Sequence, residues 1–421
     1  MRKDGLALTV TGELPATRFG PATGLGCREC GSRYPLGPVH ACIECFGPLE
    51  VAAELPSLSR ADIEGSPETM WRYAALLPVP AAPDDHLAPG FTPLVRADRL
   101  ARALGMRRLW VKDDRANPTH SFKDRVVAVA FAAGRALGFD TFACASTGNL
   151  ANAVASAAAR AGVRAVVFIP HDLEAGKIVA TAVYGVTLVA VEGSYDDVNR
   201  LCSEVAGEEP WGFVNVNLRP FYAEGSKTLG FEVAEQLGWR LPAQTVVPVA
   251  SGSLLTKVDK AFRELTTLGL VDPAPYRVFG AQPSGCSPVA TAYKAGQDVV
   301  RPVRPNTIAK SLAIGNPADG PYAIDVVRRT GGAFEDVPDA EVVEGMRLLA
   351  ETEGIFAETA GGVTVAVLRR LLAAGHLDAD AETVLLNTGD GLKTLDAVAE
   401  TVGPTVTIPA SLDAFRAAVP A

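Results

Sequence analysis

Four of the chain's seven cysteines stand close together, at Cys27, Cys30, Cys42 and Cys45. The spacing is Cys-x2-Cys, eleven residues, then Cys-x2-Cys. Four thiolates so arranged suit a tetrahedral ion, and an all-cysteine shell is closed, so structural Zn2+ is expected rather than a catalytic metal. The same ligands also suit iron. Glycines at Gly31 and Gly47 let backbone N–H groups fold back toward the sulfurs. His40 is a substitute ligand by position, but the four sulfurs already fill the shell. The single cysteines, Cys144, Cys202 and Cys286, read as core or pocket wall. Clustered cysteines in a long chain without a secretory start point to metal rather than disulfides.

Further along, polar groups gather at turns that open helices. In Asn117-Pro-Thr-His-Ser-Phe-Lys123-Asp-Arg125, Asn-Pro sets an extended turn and Ser121 is the expected N-cap of a helix running to Leu137. Lys123 then lies in the first turn, where the dipole disfavours a cation. Such a lysine is either solvent-facing at a small cost or kept as an amine for Schiff-base chemistry. Ser146-Thr147-Gly-Asn149 follows a strand and offers donors to a carboxylate or other small anion at a helix N-terminus. The loop Ala250-Ser251-Gly252-Ser253-Leu254-Leu255 is a candidate phosphate cradle, and without a P-loop lysine it does not indicate nucleotide hydrolysis. The last segment is Asn387-Thr388-Gly-Asp390-Gly-Leu-Lys393.

The elements that must position these turns have an α/β pattern. Strands are expected at Leu109–Lys112, Thr141–Ala145, Ala165–Ile169, Thr187–Val191, Phe213–Val216, Val246–Val249, Arg277–Ala281 and Thr383–Asn387, with helices such as Asn149–Ala161 and Ala223–Gly238 between them. Strands alternating with helices predict parallel sheets, with ligands at the carboxyl ends of the strands. A length of 421 residues suggests two or three domains, and 48% hydrophobic with 21% charged residues excludes a disordered chain. The net charge of −9 argues against nucleic-acid binding by bulk charge. No apolar run reaches the length of a membrane span, and the start has no signal-peptide pattern, so a cytoplasmic address is expected.

Taken together, the chain resembles the threonine synthases, pyridoxal-phosphate enzymes of the tryptophan-synthase-β (fold type II) group. The resemblance covers roughly residues 91–398 and rests on Pro118-Thr-His-Ser-Phe-Lys123-Asp-Arg, Ser146-Thr-Gly-Asn149, Glu224-Gly-Ser-Lys227-Thr228, Ile314-Gly-Asn-Pro317, Glu353-Gly-Ile-Phe-Ala-Glu358 and Thr388-Gly-Asp-Gly-Leu-Lys393. It departs from the common pattern at His120, Ala250–Leu255, Thr359 and Asp390.

The resemblance implies two three-layer α/β lobes with the active site in the cleft between them, plus the zinc-ribbon-like start. The expected division is 1–53 for the ribbon, 54–138 with 225–421 for a large cofactor-binding domain, and 139–224 for a small inserted one. Lys123 would bind pyridoxal 5'-phosphate as a Schiff base and then move protons. Asn149 would meet the cofactor's ring oxygen, Ala250, Ser251, Gly252, Ser253, Leu254 and Leu255 its phosphate, and Thr388 its pyridine nitrogen. Ser146, Thr147 and Asn149 would frame the substrate carboxylate. His120 is a candidate pocket residue, and Lys177, Arg115, Arg125 and Lys227 are candidates for the substrate phosphate. The implied reaction converts O-phospho-L-homoserine and water to L-threonine and phosphate. A related lyase or replacement enzyme on a phosphoserine-, serine- or threonine-like amino acid is the alternative. The small-molecule substrate is the expected partner, together with a second copy of the chain as in other family members.

Overall fold

The structure is a computed structural model and describes residues 19–80, 87–146, 148–171, 173, 175–193 and 195–419. Its strands are β1 Ala22–Cys27, β2 Arg33–Tyr34, β3 Leu49–Ala53, β4 Leu94–Arg96, β5 Arg108–Asp113, β6 Thr141–Ala145, β7 Arg164–Pro170, β8 Thr187–Val191, β9 Gly212–Phe213, β10 Gln244–Pro248, β11 Arg277–Pro283, β12 Phe334–Val337 and β13 Glu382–Asn387. They form a three-stranded sheet in the order β2-β1-β3, a six-stranded sheet β12-β11-β10-β13-β5-β4 and a four-stranded sheet β8-β7-β6-β9. The first is antiparallel. The other two are parallel except where β4 runs against β5.

Both parallel sheets are covered on both faces, and the side-chain alternation shows it. Val247, Val278, Val384 and Leu386 enter one core, while their neighbours Val246, Phe279 and Leu385 enter another. In the smaller sheet Phe142, Cys144 and Val167 face one core, and Ala143, Ala145, Val166 and Phe168 face the opposite one. Continuous β-branched runs are the sequence mark of strands buried on both sides. These are the three-layer α/β lobes expected. Residues 54–80 wrap the larger body, sinking Ile63, Tyr73 and Leu76 into its core.

Several boundaries differ from the sequence expectation. The expected strand Phe213–Val216 shrinks to Gly212–Phe213. The expected helix Ala223–Gly238 is two helices, Arg219–Glu224 and Lys227–Gln236. The break falls at Gly225, where a side chain would come within 2.7 Å of the Arg125 carbonyl. The two helices therefore turn around a close backbone contact with the lysine-bearing helix. The strands β4 and β12 are additions to the expected set. Both are short edges, and the acidic Glu335 and Asp336 of β12 are balanced there by Lys294.

Ser121 is not the N-cap. The helix runs from Lys123 to Ala136 with no side-chain cap, because Ser121 is bridged to Gly389 instead. The turn is closed by Asp124, whose carboxylate accepts the Thr119 N–H at 2.8 Å and the Thr119 hydroxyl at 2.9 Å.

Candidate functional site

The expected reactive residues come from the carboxyl ends of parallel strands. Lys123 opens a helix after β5, Asn149 opens the helix Asn149–Ala161 after β6, the Ala250–Gly252 turn follows β10, and Thr388 follows β13. They converge on one cleft. Lys123, Asn149, Ala250, Ser251, Gly252, Ser253, Leu254 and Thr388 all line it. Leu255 does not, because it points into the core one step further along the helix.

Backbone hydrogen bonds lace the loops together. Phe122 N–H donates to Thr388 O at 2.9 Å, Glu358 N–H to Gly389 O at 2.9 Å, and Asp390 N–H to His120 O at 3.1 Å. The Lys123 ammonium donates to the Tyr222 hydroxyl at 3.0 Å. Asn149 is held from both sides. Its Nδ2 donates to Glu358 Oε2 at 2.8 Å, and its Oδ1 accepts from Lys393 Nζ at 3.0 Å. A carboxylate can only accept and an ammonium only donate, so the amide orientation is determined. One Nδ2 hydrogen is left for a ligand oxygen. Thr388 Oγ1 stands 3.4 Å from Glu358 Oε1. Burial pushes the Glu358 carboxyl above its usual range, against the opposing pull of Asn149, Lys393 and Thr388. Burial likewise lowers the Lys393 ammonium.

Opposite the lysine, the helix Ser253–Thr267 points its N-terminus at the cleft. Its first-turn N–H groups lack helical partners and its dipole favours an anion. Gly252 adopts φ +99°, and a side chain there would meet the Asp319 carbonyl at 2.7 Å. The turn thus approaches its support as closely as only glycine allows. An amine, a fixed amide and an anion-seeking turn in one cleft match the donor set that pyridoxal phosphate requires.

The substrate candidates divide differently. Ser146 is buried, and its hydroxyl accepts N–H groups of Gly148 at 3.2 Å and Ala151 at 3.1 Å, so it closes the turn before the helix. Thr147 lies outside the described residues. His120 is exposed at φ +59°, its Nδ1 3.3 Å from the Arg115 carbonyl. Arg115 grips Asp113 with two nitrogens, at 2.7 and 2.9 Å. Lys177 sits half-buried on the helix Ala175–Ala182. None of Ser146, His120, Arg115 and Lys177 lines the cleft.

Arg125 and Lys227 are excluded as phosphate ligands. Arg125 is fully buried and bonded to Asp114 and Glu232. Lys227 is buried on Glu224 at 2.8 Å, Glu264 at 3.0 Å and the Leu76 carbonyl at 2.8 Å. Their charges are spent inside the fold. Glu358, Tyr222, Ser226 and Ser311 also line the cleft, although sequence reasoning assigns them no role. Glu358 carries a signal, since it ends the Glu353–Glu358 motif; Ser311 carries none.

The cysteine ribbon forms on β1–β3. The sulfurs of Cys27, Cys30, Cys42 and Cys45 lie within 4.8 Å of one another. Cys27 to Cys45 is 3.5 Å and Cys30 to Cys42 is 3.6 Å. Bonds of about 2.3 Å to a tetrahedral zinc place sulfurs a little under 4 Å apart, so the shell fits. The Tyr34 hydroxyl accepts the Ile43 N–H at 3.1 Å and stands 3.0 Å from Cys42 Sγ, leaving its proton for the sulfur. A positive φ falls on Gly31 in the first knuckle and on Phe46 in the second. Cys144, Cys202 and Cys286 are buried and free.

Comparison with known proteins agrees with this geometry. Residues 86–389 match the family model of pyridoxal-phosphate dependent enzymes. The threonine synthase of Methanosarcina acetivorans is 36% identical over 401 residues, covering 94% of this chain and 98% of its own. That of Methanocaldococcus jannaschii is 36% identical, covering 88% of this chain and 93% of its own. Among solved structures, maize serine racemase superposes with a TM-score of 0.62 at 22% identity, over 74% of this chain and 91% of its own.

Proposed function

The chain belongs to the pyridoxal-phosphate dependent enzymes and within them to the threonine synthases, and from that premise we propose that it converts O-phospho-L-homoserine and water to L-threonine and phosphate. The observation that carries the reading is that the Lys123 amine and the anion-seeking turn at Ser251–Ser253 open into one cleft. Bound there, pyridoxal phosphate supplies the electron sink that makes the substrate's Cα proton removable.

The rest is the work of the protein. Lys123 would hold the cofactor by its aldehyde carbon, and its free amine would take and return protons at the substrate's Cα and Cβ. Tyr222 keeps that amine at the cleft wall. Asn149, braced by Glu358 and Lys393, offers its remaining Nδ2 hydrogen to the ring oxygen. Thr388 presents a neutral hydroxyl to the ring nitrogen, which stabilises positive charge there less than a carboxylate would. The turn from Ala250 to Leu254 holds the cofactor's phosphate. With Arg125 and Lys227 excluded, Arg115 and Lys177 are what is left of the candidates for the substrate's phosphate, and neither lines the cleft as it stands.

We read the cysteine shell as a closed structural zinc site, supported by the sulfur spacing. A cytoplasmic address is supported by cysteines that form a metal shell or stay single rather than pairing in disulfides. Among the described residues, no helix is long and apolar enough to cross a membrane.

The holoenzyme given O-phospho-L-homoserine is expected to release phosphate and threonine in equal amounts, at a rate of roughly 1 per second or faster. Phosphate without threonine would sink the reading. Turnover of phosphoserine or serine in its place would establish the alternative lyase.

A further inference from the structure

The cysteine ribbon is pinned at two points to the turn that faces the cofactor's phosphate. Arg28 lies between two of the clustered cysteines, and its guanidinium sits 3.7 Å above the Tyr322 ring. Its Nη1 is 3.7 Å from Asp319 Oδ1, and the adjacent Glu29 accepts the Tyr322 hydroxyl. Asp319 in turn donates its N–H to the Ser251 carbonyl at 2.9 Å, and its own carbonyl backs Gly252. Arg219 holds the other Asp319 oxygen at 2.7 Å.

The second pin starts at Glu50 on β3. Its carboxylate pairs with Lys257, four residues into the helix whose N-terminus faces the cleft. Lys257 also reaches Glu224 at 2.7 Å. A shallow pocket lies between the pins, lined by Arg28, Glu50, Arg219, Lys257 and Asp319. The Asp319 and Lys257 side chains are only 8% and 2% exposed, so these contacts are weakly screened.

A turn that binds an anion through backbone N–H groups works best when their directions are set before the ligand arrives. We infer that the ribbon is a positioning element for the cofactor's phosphate. Arg28 and Glu50 hold the Ala250–Leu254 turn and its helix in register, and a metal in the four-cysteine shell holds Arg28. The inference rests on reading that turn as the phosphate cradle.

The test is a titration of the full-length chain, freed of cofactor, with pyridoxal phosphate and with phosphate-free pyridoxal. Wild type should bind the phosphorylated ligand far more tightly. Arg28→Ala should weaken pyridoxal phosphate roughly tenfold, a usual size for coupling between sites, and leave pyridoxal unchanged. Arg28→Lys, which keeps the charge, should recover part of the loss. Removing the metal with a chelator should reproduce the loss in wild type and add nothing in Arg28→Ala. Equal weakening of both ligands in Arg28→Ala, or no weakening, overturns the inference, and a further loss on chelation overturns the metal's part in it. If Arg28→Ala does not fold, Glu50→Gln takes its place in the titration, with the same outcomes for and against. Should wild type bind both ligands alike, the reading of the turn as the phosphate cradle falls instead.

Discussion

Replacing Lys123 by alanine lowers turnover of O-phospho-L-homoserine by at least roughly 10³-fold, the scale of losing a positioned proton-transfer group, and does so without unfolding the protein. The side chain is half-buried at the first turn of its helix and, among the described residues, donates a hydrogen bond to Tyr222. Truncation therefore leaves no buried charge behind and opens no deep cavity. Its effect is chemical, because no other amine in the described structure lines the cleft. The visible absorbance of lysine-bound pyridoxal phosphate should vanish with the activity. Lys123→Arg should be equally inactive, since a guanidinium keeps the charge but is not a nucleophile. Activity within tenfold of wild type in Lys123→Ala, measured as threonine formed, would remove this residue from the reaction.

Arg125→Met is expected to cost about 3–5 kcal/mol of folding stability, as breaking a buried ion network does. Arg125 Nε and Nη2 each lie 2.8 Å from Asp114, Nη2 lies 2.8 Å from Glu232 Oε2 and 3.0 Å from Thr92, and Nη1 lies 3.1 Å from Thr228. Burial on its own would weaken the guanidinium's hold on its proton, but Asp114 and Glu232 reverse that and bind it more firmly. Methionine fills much of the volume and leaves both carboxylates with little compensation. Lys112 then stands as the remaining close cation on Glu232, at 2.6 Å. Urea unfolding should show the midpoint fall. Activity should fall with it, because the network anchors the first turn of the helix that begins at Lys123. An unchanged midpoint with a raised KM would restore Arg125 as a ligand of the substrate's phosphate.

These two residues, two positions apart on one helix, mark how far a linear reading goes. Both are cations in one motif, and their spacing puts them on opposite sides of a helix without saying which side meets the cleft. What separates them is which side of the helix meets the cleft and which meets Asp114 and Glu232, the latter more than a hundred positions away in sequence. Lys227 departs from its expected role for the same reason. Its partner Glu264 and the Leu76 carbonyl are brought to it by packing, not by sequence proximity.

Local physics is legible in the chain. Strands Thr141–Ala145 and Thr187–Val191 and helix Asn149–Ala161 begin and end where the pattern places them, because β-branched runs, glycine stops and Ala-rich periodicity act over a few residues. The four cysteines are legible too, since two short knuckles determine their own ligand spacing. The turns after the strands follow from the rule that parallel sheets bind at their carboxyl ends. Tertiary structure alone decided the rest. It placed Glu358 beside Asn149 and Thr388, split the expected Ala223–Gly238 helix at the Gly225 contact, and tied the ribbon to Asp319 and Lys257 through Arg28 and Glu50. Each of these is a long-range contact whose energy depends on burial and on the partner's charge. Neither exists for a residue until the chain has folded around it.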